Sequence, residues 1–225
     1  MAFHQTMVWK EIGLQMQEVK DKCNAIIKHL NLPREDARVL GVVHIRQFCN
    51  TLVAVPLQLQ HNAENRNNIP VIMRMLGLRR MEDLRSCLGD LNKNSKISFV
   101  TMAQFAFENC IGKVLEAIPN EKKLGSFSRS SKRIIDVARL KDAKNKHDLI
   151  MVPAWIRNTL HAGGIHEQAD KTVVVDGEPF VFQKGQRFEC ATWSHVLYVF
   201  LHCLDVYEEI LISKKVKEIT FIKTA

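Results

Sequence analysis

An arginine, an amide and two histidines lie close together in the segment IRNTLHAGGIH, residues 156–166. Arg157 and His161 are four residues apart, so their side chains lie on the same face if the segment is helical. An arginine guanidinium can bind a phosphate through two hydrogen bonds, and a histidine can exchange a proton near neutral pH. The two glycines that follow predict the end of the helix. This spacing indicates a site where arginine and histidine act together on a phosphate.

These groups are sufficient for one reaction that requires no metal. In RNA, a 2′-hydroxyl can attack the adjacent phosphate while a histidine takes the hydroxyl proton or supplies one to the leaving oxygen. An arginine can stabilise the charge that develops on the phosphate, and loss of one such donor typically costs on the order of a hundredfold in rate. We therefore expect Arg157 to hold the phosphate and His161, or else His166, to move protons. Asn158 would orient the phosphate or the histidine.

Two other interpretations use the same residues. An Arg-Asn-x-x-His run at a helix end can simply cap backbone carbonyls and bind water. Alternatively, His161 and His166 could join His195 or His202, which share one face of the last predicted helix, in a metal site. The chain has no His-Glu-x-x-His and no Cys-x-x-Cys sequence, which are the patterns typical of such sites. We therefore predict neither a metal nor another cofactor.

The segment RNTLHAGGIH, late in a helical chain, resembles the motif of the HEPN superfamily of nucleic-acid-associated helical domains. That motif is an arginine, commonly followed by Asn, Asp or His, and then a histidine after four to six residues. Arg157 and Asn158 match its first half. His161 follows after three residues and His166 after eight, so both histidines are candidates.

The resemblance covers about residues 98–212 and implies a four- or five-helix bundle, frequently dimeric, with two motifs meeting in a basic cleft. Many members resemble metal-independent RNA-cutting toxins or antiphage defence effectors. Others have lost catalysis and serve as binding or scaffold domains. The family also often carries a polar residue on an early core helix, and Glu108 in the run FAFENCIG resembles it. Glu108 would position Arg157, although a carboxylate at a helix edge or paired with a lysine fits equally well.

The chain is basic, with a formal net charge of +8 at pH 7. Such a balance favours a polyanionic partner, RNA or DNA before an anionic membrane, and a solvated basic surface is the alternative. Lysines and arginines cluster between residues 122 and 141. Within this cluster we expect four side chains to follow the RNA backbone: Arg129, Lys132, Arg133 and Arg139.

Cysteine usage and hydropathy predict the compartment. The 6 cysteines form no Cys-x-x-Cys pair and several lie in apolar helical patterns, which favours free buried thiols in a reducing environment over a disulfide framework. The N-terminus lacks the apolar region and cleavage site of a signal peptide. There is no uninterrupted apolar run of about eighteen residues, the length that a membrane span requires. We therefore expect a cytoplasmic protein that does not associate with membranes.

Apolar residues recur at helical spacing along most of the chain, so the predicted fold class is all-α, a helical bundle. Helices are predicted at about 6–30, 34–56, 69–77, 79–91, 98–118, 153–161 and 192–216. Pro153 fits either the first turn of its helix or a kink within a longer one, and the basic segment 122–146 is expected to be part loop and part helix. The polar run NKNSK at 92–96 is expected to separate two of them, with Ser98 capping the second. Asp176-Gly177 between TVVV and PFVF predicts one inserted β-hairpin near the C-terminus, at about 172–188. Residues 1–97 would pack as an N-terminal region on a core formed by 98–225, the two together forming a single compact unit.

These features favour a metal-independent endoribonuclease of HEPN type, a toxin or defence effector, acting as a homodimer and controlled by an antitoxin or regulatory partner. Apolar positions along the last helix, HVLYVFLHCLDVYEEIL, also suggest the dimer, although such a stripe is more often core. One rival is a non-catalytic helical module that binds RNA or a protein through the basic surface. Another is a helical regulator whose hairpin docks on a larger complex. An active site requires Arg157 and a histidine exposed together, whereas a scaffold would bury them or pair them with carboxylates.

Overall fold

The structure, a computed structural model, describes residues 2–188 and 191–224, with side chains described from Lys10 onward. It is mostly helical, with a two-stranded antiparallel hairpin near the C-terminus, which confirms the predicted fold class at that level. The helices are α1 (Ala2–Leu30), α2 (Ala37–Phe48), α3 (Val55–Glu64), α4 (Ile69–Met75), α5 (Met81–Ala117), α6 (Phe127–Ala138), α7 (Ala143–His161), α8 (Trp193–Ile212) and α9 (Lys214–Lys217). The strands are β1 (Lys171–Val175) and β2 (Glu178–Phe182).

Helix α5 is the longest element, and it corrects one prediction. We expected the polar run 92–96 to end a helix, but the helix continues through it. Asn and Ser cost only a few tenths of a kcal/mol each relative to the best helix formers, and packing offsets that cost. Ser95 is buried against the core, and the Trp193 indole Nε1 donates a hydrogen bond of 2.6 Å to Asn92 Oδ1. A polar run without Pro or Gly was therefore insufficient to break the helix.

The core forms around α5 and α8. Helix α5 packs against α2 and α7, and α8 packs against α1 and α7. Aromatic rings connect α5 to α8 in one continuous series: Trp193, Phe99, Phe200, Phe107 and Tyr207. Most of the apolar stripe of α8 is therefore buried within the protomer. The stripe consequently gives no support to a dimer interface.

One hydrophobic core includes residues from α1 through to the C-terminal tail. The expected boundary between residues 97 and 98 falls inside α5. The N-terminal helices and the later helices thus share a core rather than meeting at a surface between two separate cores.

Helix α2 begins later than expected, and the chain stays helical without a break from α2 to the end of α3. Pro33 precedes it in a turn, and Asp36 is its N-cap, accepting a 3.0 Å hydrogen bond from the Arg38 amide. A π-helical segment, Cys49–Ala54, joins α2 to α3. Pro56 lies in the first turn of α3, directly after the π-helical segment, and its missing N–H leaves a carbonyl in that segment without a helical donor.

The stretch 37–64 is the one described helix that is long and apolar enough to cross a membrane by length and composition. We expected no apolar run long enough to span a membrane. In the fold, 44% of its most apolar window is buried inside the protein. Core helices of soluble proteins satisfy the same length and composition test, so this observation is weak evidence for a membrane span.

The hairpin forms where the Asp176-Gly177 pair predicted it. Both residues have positive φ angles, 46° and 90°, as a two-residue hairpin turn of this type requires. Val175 pairs with Glu178 and Lys171 with Phe182. Alternate side chains then face inward, and four of them are buried: Val173, Val175, Phe180 and Phe182. Of these, Phe182 contacts Trp155 of α7 and Phe180 contacts His195 of α8.

Candidate active site at the end of helix α7

Helix α7 carries the predicted site and contains a proline in its middle. Pro153 has no N–H for the carbonyl of Leu149, four residues earlier. That carbonyl accepts instead from the Cys203 thiol of α8, with an S···O distance of 3.5 Å. This contact provides a partner for the free carbonyl, so α7 continues to His161 and brings Arg157 and His161 onto one face.

The two glycines end α7 as the sequence predicted. Gly163 and Gly164 have φ angles of 70° and 93°, a conformation that glycine adopts without strain. The amide of Ala162 donates to the Asn158 carbonyl at 3.0 Å, and that of Gly164 donates to the Thr159 carbonyl at 2.8 Å. These bonds satisfy carbonyls of the last turn, so His161 need not cap the helix with its side chain.

The Arg157 guanidinium is half-buried and held by an amide and an aromatic ring. Its Nε and Nη2 donate to Asn158 Oδ1 at 3.2 and 3.0 Å. Its central carbon lies 5.8 Å from the centroid of the Phe105 ring on α5, within reach of a cation–π contact. Because Asn158 uses two of the five N–H groups, both groups of Nη1 and one of Nη2 have no hydrogen-bond partner among the described residues and stay available for a phosphate.

His161 is exposed at the C-terminal end of the same face. Its Nε2 lies 3.3 Å from the Thr101 hydroxyl on α5. A hydroxyl can either donate or accept, so this contact is compatible with both neutral tautomers of the ring. Within the described part of the chain, Nδ1 has no protein partner. The imidazole therefore has one nitrogen fixed by α5 and one open to solvent.

His166, the other candidate, is buried, with only 3% of its surface exposed. Its Nε2 lies 3.2 Å from the Ala169 carbonyl, which can only accept, so Nε2 carries the proton and donates. Its Nδ1 lies 3.2 Å from the Thr159 hydroxyl, which can donate to it. The His166 backbone also pairs with Gln186 and Gly185 beyond the hairpin. Both ring nitrogens are engaged, so His166 joins the hairpin to α7 and is not free to exchange protons with a substrate.

The facing surface of α5 contributes residues at positions 101, 105 and 108, which share one helix face. Thr101 contacts His161 and Phe105 contacts Arg157. Glu108 lies one turn further along this face and is partly exposed. Among the described residues it forms no ion pair with Arg157 or with any lysine, so its expected role in positioning Arg157 is not a direct contact in this structure. Asn158 holds the guanidinium instead.

A pocket of about 420 Å³ opens beside this surface. Its lining residues are Asn158, Thr159, His161, Ala162, His166, Glu167 and Gln168. Arg157 is not among them, because its side chain turns toward α5. His161 therefore borders both the pocket and the Arg157 surface. A slightly larger pocket, about 460 Å³, lies between α3 and the first half of α5, away from both candidate histidines.

The predicted backbone-binding cluster lies in or next to α6, at some distance from Arg157. Arg129, Lys132 and Arg139 are exposed, and Arg133 forms an ion pair with Glu121. Helix α6 contacts the first half of α7, where the Ser128 carbonyl lies 3.0 Å from His147 Nε2, and Lys123, just before α6, lies over Gly112 of α5. Gly112 is about 10 Å along the helix axis from Phe105. An RNA strand would have to span this separation to contact both groups.

The histidines considered as metal ligands do not converge. His195 accepts or donates at Nδ1 with the Thr192 hydroxyl, 2.7 Å away, and burial lowers its pKa below the ordinary value. His202 makes an edge-to-face contact with the Tyr198 ring. Among the described side chains, no group of three or more His, Cys, Asp or Glu residues is arranged to hold a metal ion.

Sequence reasoning missed Thr101 and Phe105. Their positions relative to Glu108, seven and three residues earlier, place all three on one face of α5, and that periodicity was visible in the sequence. What the sequence lacked was the pairing of α5 with α7, because contacts between distant helices follow from packing rather than from local pattern. Asn158 was found, but its partner is Arg157 rather than His161.

No protein-family model, no curated protein and no solved structure matches this chain. The HEPN resemblance of residues 157–166 stays a prediction. Function must therefore be inferred from the residues and their geometry.

Proposed function

We propose that this protein is a metal-independent endoribonuclease of HEPN type, in which Arg157 binds the scissile phosphate and His161 transfers protons. One observation carries the proposal. Arg157 and His161 lie on the same solvent-accessible face, and neither is paired with a carboxylate among the described residues. A purely structural arginine and histidine would be buried or neutralised by acidic partners.

In the proposed reaction, the 2′-oxygen of a nucleotide forms a bond to the adjacent phosphorus, and the bond from phosphorus to the 5′-oxygen breaks. His161 takes the 2′-hydroxyl proton through its open nitrogen. A second proton donor, either the other copy of the motif in a dimer or a water molecule, protonates the leaving 5′-oxygen. The free N–H groups of Arg157 bind the non-bridging oxygens as negative charge accumulates on them. The products are a 2′,3′-cyclic phosphate and a 5′-hydroxyl.

Asn158 and Phe105 have positioning roles in this proposal. By accepting from Nε and Nη2, Asn158 fixes the plane of the guanidinium and leaves the N–H groups of Nη1 for a ligand. A preoriented donor needs no reorganisation when charge develops, which is the main source of this kind of catalysis. His166 has a structural role, since both of its nitrogens are engaged.

The proposal includes a cytoplasmic homodimer controlled by an antitoxin or regulatory partner, acting in toxicity or antiphage defence. The five cysteines that the structure describes are free, which supports a reducing compartment: Cys23, Cys49, Cys87, Cys110 and Cys203. The dimer rests on the family resemblance alone, since α8 is occupied by the protomer's own core.

The test is cleavage of a mixed-sequence single-stranded RNA. Arg157→Ala and His161→Ala should each abolish cleavage while circular dichroism shows an intact fold. Arg157→Lys should be nearly as poor, because an ammonium cannot replace the planar fork of a guanidinium. Wild-type cleavage should survive a chelator and leave 2′,3′-cyclic or 3′-phosphate ends.

Two exposed residues outside the site serve as matched controls, Arg34→Ala and His61→Ala, and both should cut RNA at the wild-type rate. If the purified wild-type protein binds RNA without cutting it, or if His161→Ala cuts normally, the enzyme is ruled out in this form. The non-catalytic binding module would then be the better description.

A further inference from the structure

Phe105 is an exposed aromatic residue on a helix that otherwise buries its rings. Phe99 and Phe107, on the same helix, are 0% and 4% exposed. Phe105 is 51% exposed, and Met102, its neighbour one turn earlier, is 43% exposed. Exposing an aromatic ring forgoes the burial energy that its neighbours gain. A ligand that covers the ring would recover that energy.

The ring lies beside both groups of the proposed active site. The Arg157 guanidinium is 5.8 Å from its centroid, and Thr101, one turn away on the same face, contacts His161. A phosphate bound by Arg157 would therefore be next to a flat apolar surface. A nucleotide combines these same two parts, an anionic phosphate and a flat apolar base, one sugar apart.

We propose that Phe105, with Met102 beside it, is the stacking platform for one unpaired base of single-stranded RNA. This inference rests on the proposed ribonuclease function and specifies its substrate: a strand with a base available for stacking, next to the phosphate held by Arg157. Stacking on an aromatic side chain tolerates any base, so the platform selects for single strands rather than for sequence. Paired bases inside a duplex cannot reach the ring.

A protein partner is the competing occupant of this surface, and the size of the patch disfavours it. Stable interfaces bury roughly 800 Å² on each partner. On this part of α5, the exposed large apolar side chains are Phe105 and Met102, and two side chains are closer to the size of one base. It is also flanked by the charged Arg157 and the polar His161, which suit a phosphate.

The test compares two cleavage-resistant strands in fluorescence anisotropy, a short oligodeoxyuridylate and the same sugar–phosphate strand without bases. Both lack the 2′-hydroxyl, so neither can be cut. Phe105→Ala should weaken binding of the uridylate about five- to hundredfold, the range expected for loss of one stacked base. It should leave the affinity for the abasic strand unchanged. Phe105→Trp should restore the wild-type affinity for the uridylate.

The matched control is Phe221→Ala, which removes a ring of similar exposure, 47%, outside the site; it should change the affinity for neither strand.

Equal losses of affinity for both strands in Phe105→Ala would overturn the platform, because Phe105 would then act only by positioning Arg157. Unchanged binding of both strands would also overturn it, while Arg157-dependent RNA cleavage by the wild type would keep the nuclease. If the wild type binds neither strand and cuts no RNA, both proposals fail. A shift from dimer to monomer in Phe105→Ala would assign the patch to a protein interface instead.

Discussion

Arg38 and Arg157 are the same residue type in opposite settings. Arg38 is 1% exposed, and its Nε and Nη2 donate to the two carboxylate oxygens of Asp36 at 2.8 and 2.7 Å. Its Nη1 donates to the Val216 carbonyl at 3.0 Å. Arg157 is only half-buried, and its partners are a neutral amide and a ring. One arginine has its charge balanced inside the protein, while the other keeps unused donors at the surface.

The difference separates a structural arginine from one that can bind a ligand. Asp36 also accepts from the Ile222 amide at 3.1 Å, so the Asp36–Arg38 pair holds the C-terminal tail against the start of α2. Burial raises the pKa of Asp36, but the hydrogen bonds from Arg38 and Ile222 and the charge of Arg38 outweigh burial and keep that pKa below its ordinary value. Asp36 therefore stays charged at neutral pH, and a saturated pair of this kind leaves nothing for a substrate.

The largest expected difference between Arg38 and Arg157 is in what each contributes to the stability of the fold. Arg38→Met should lower the free energy of unfolding by about 3–5 kcal/mol, because it leaves the Asp36 carboxylate buried and unpaired. Arg157→Ala should lower it by no more than about 1 kcal/mol, the value of an exposed cation–π contact. Urea denaturation measures both.

A double variant identifies the cause of the loss. In Asp36→Asn combined with Arg38→Met, the buried charge disappears while Asn can still cap α2. The double variant should therefore be more stable than Arg38→Met alone. Equal destabilisation by Arg38→Met and Arg157→Ala would show that the two arginines do not differ in role.

The two histidines of the motif repeat the contrast at a smaller scale. His166→Ala should lower the free energy of unfolding by about 1–3 kcal/mol, because it removes the partners of the Thr159 hydroxyl and the Ala169 carbonyl inside the fold. His161→Ala should stay within about 0.5 kcal/mol of wild type, as exposed substitutions usually do. Thermal or urea unfolding of the two variants gives the comparison, with RNA cleavage measured in parallel.

The cleavage measurement decides the assignment. We expect His161→Ala to be stable and inactive, and His166→Ala to be less stable but active at temperatures where it is folded. A stable His166→Ala that cannot cut RNA, together with an active His161→Ala, would reverse the two roles and place the functional histidine beyond the glycines.

Local patterns in the sequence predicted much of the fold. The Asp176-Gly177 turn is set by a few neighbouring residues, and the structure has it where it was expected. The expected break at 92–96 was wrong because the hydrogen bond from Trp193 to Asn92 comes from a distant part of the chain. Propensity is a weak guide where tertiary contacts act on the same residues.

In the candidate site too, local spacing was predictable from the sequence, whereas contacts between distant segments were not. The spacing of Arg157 and His161 predicted that they share a helix face, and α7 has that geometry. The partners on α5, Thr101 and Phe105, depend on how two helices pack, which no short pattern specifies. The burial of His166 depends on residues 185 and 186 folding back beyond the hairpin. Spacing therefore could not distinguish the two histidines.

The smallest expected effect is on the salt dependence of RNA binding by the basic cluster of α6, where one charge is paired and another is available. Lys132 is exposed without an ion-pair partner among the described residues, whereas Arg133 is paired with Glu121, and the hydrogen bond from Arg133 lowers the pKa of Glu121.

Each phosphate that a protein neutralises on a single strand contributes about −0.7 to the slope of log affinity against log salt. If Lys132 contacts the RNA backbone, Lys132→Gln should make that slope shallower by about 0.7. The charge-conserving double variant Glu121→Gln with Arg133→Gln should leave it unchanged, because the ion pair already occupies the arginine. Anisotropy titrations of an RNA strand at several salt concentrations measure both slopes. If the slope becomes shallower in the double variant but does not change in Lys132→Gln, Arg133 leaves the Glu121 carboxylate and binds a phosphate when RNA binds.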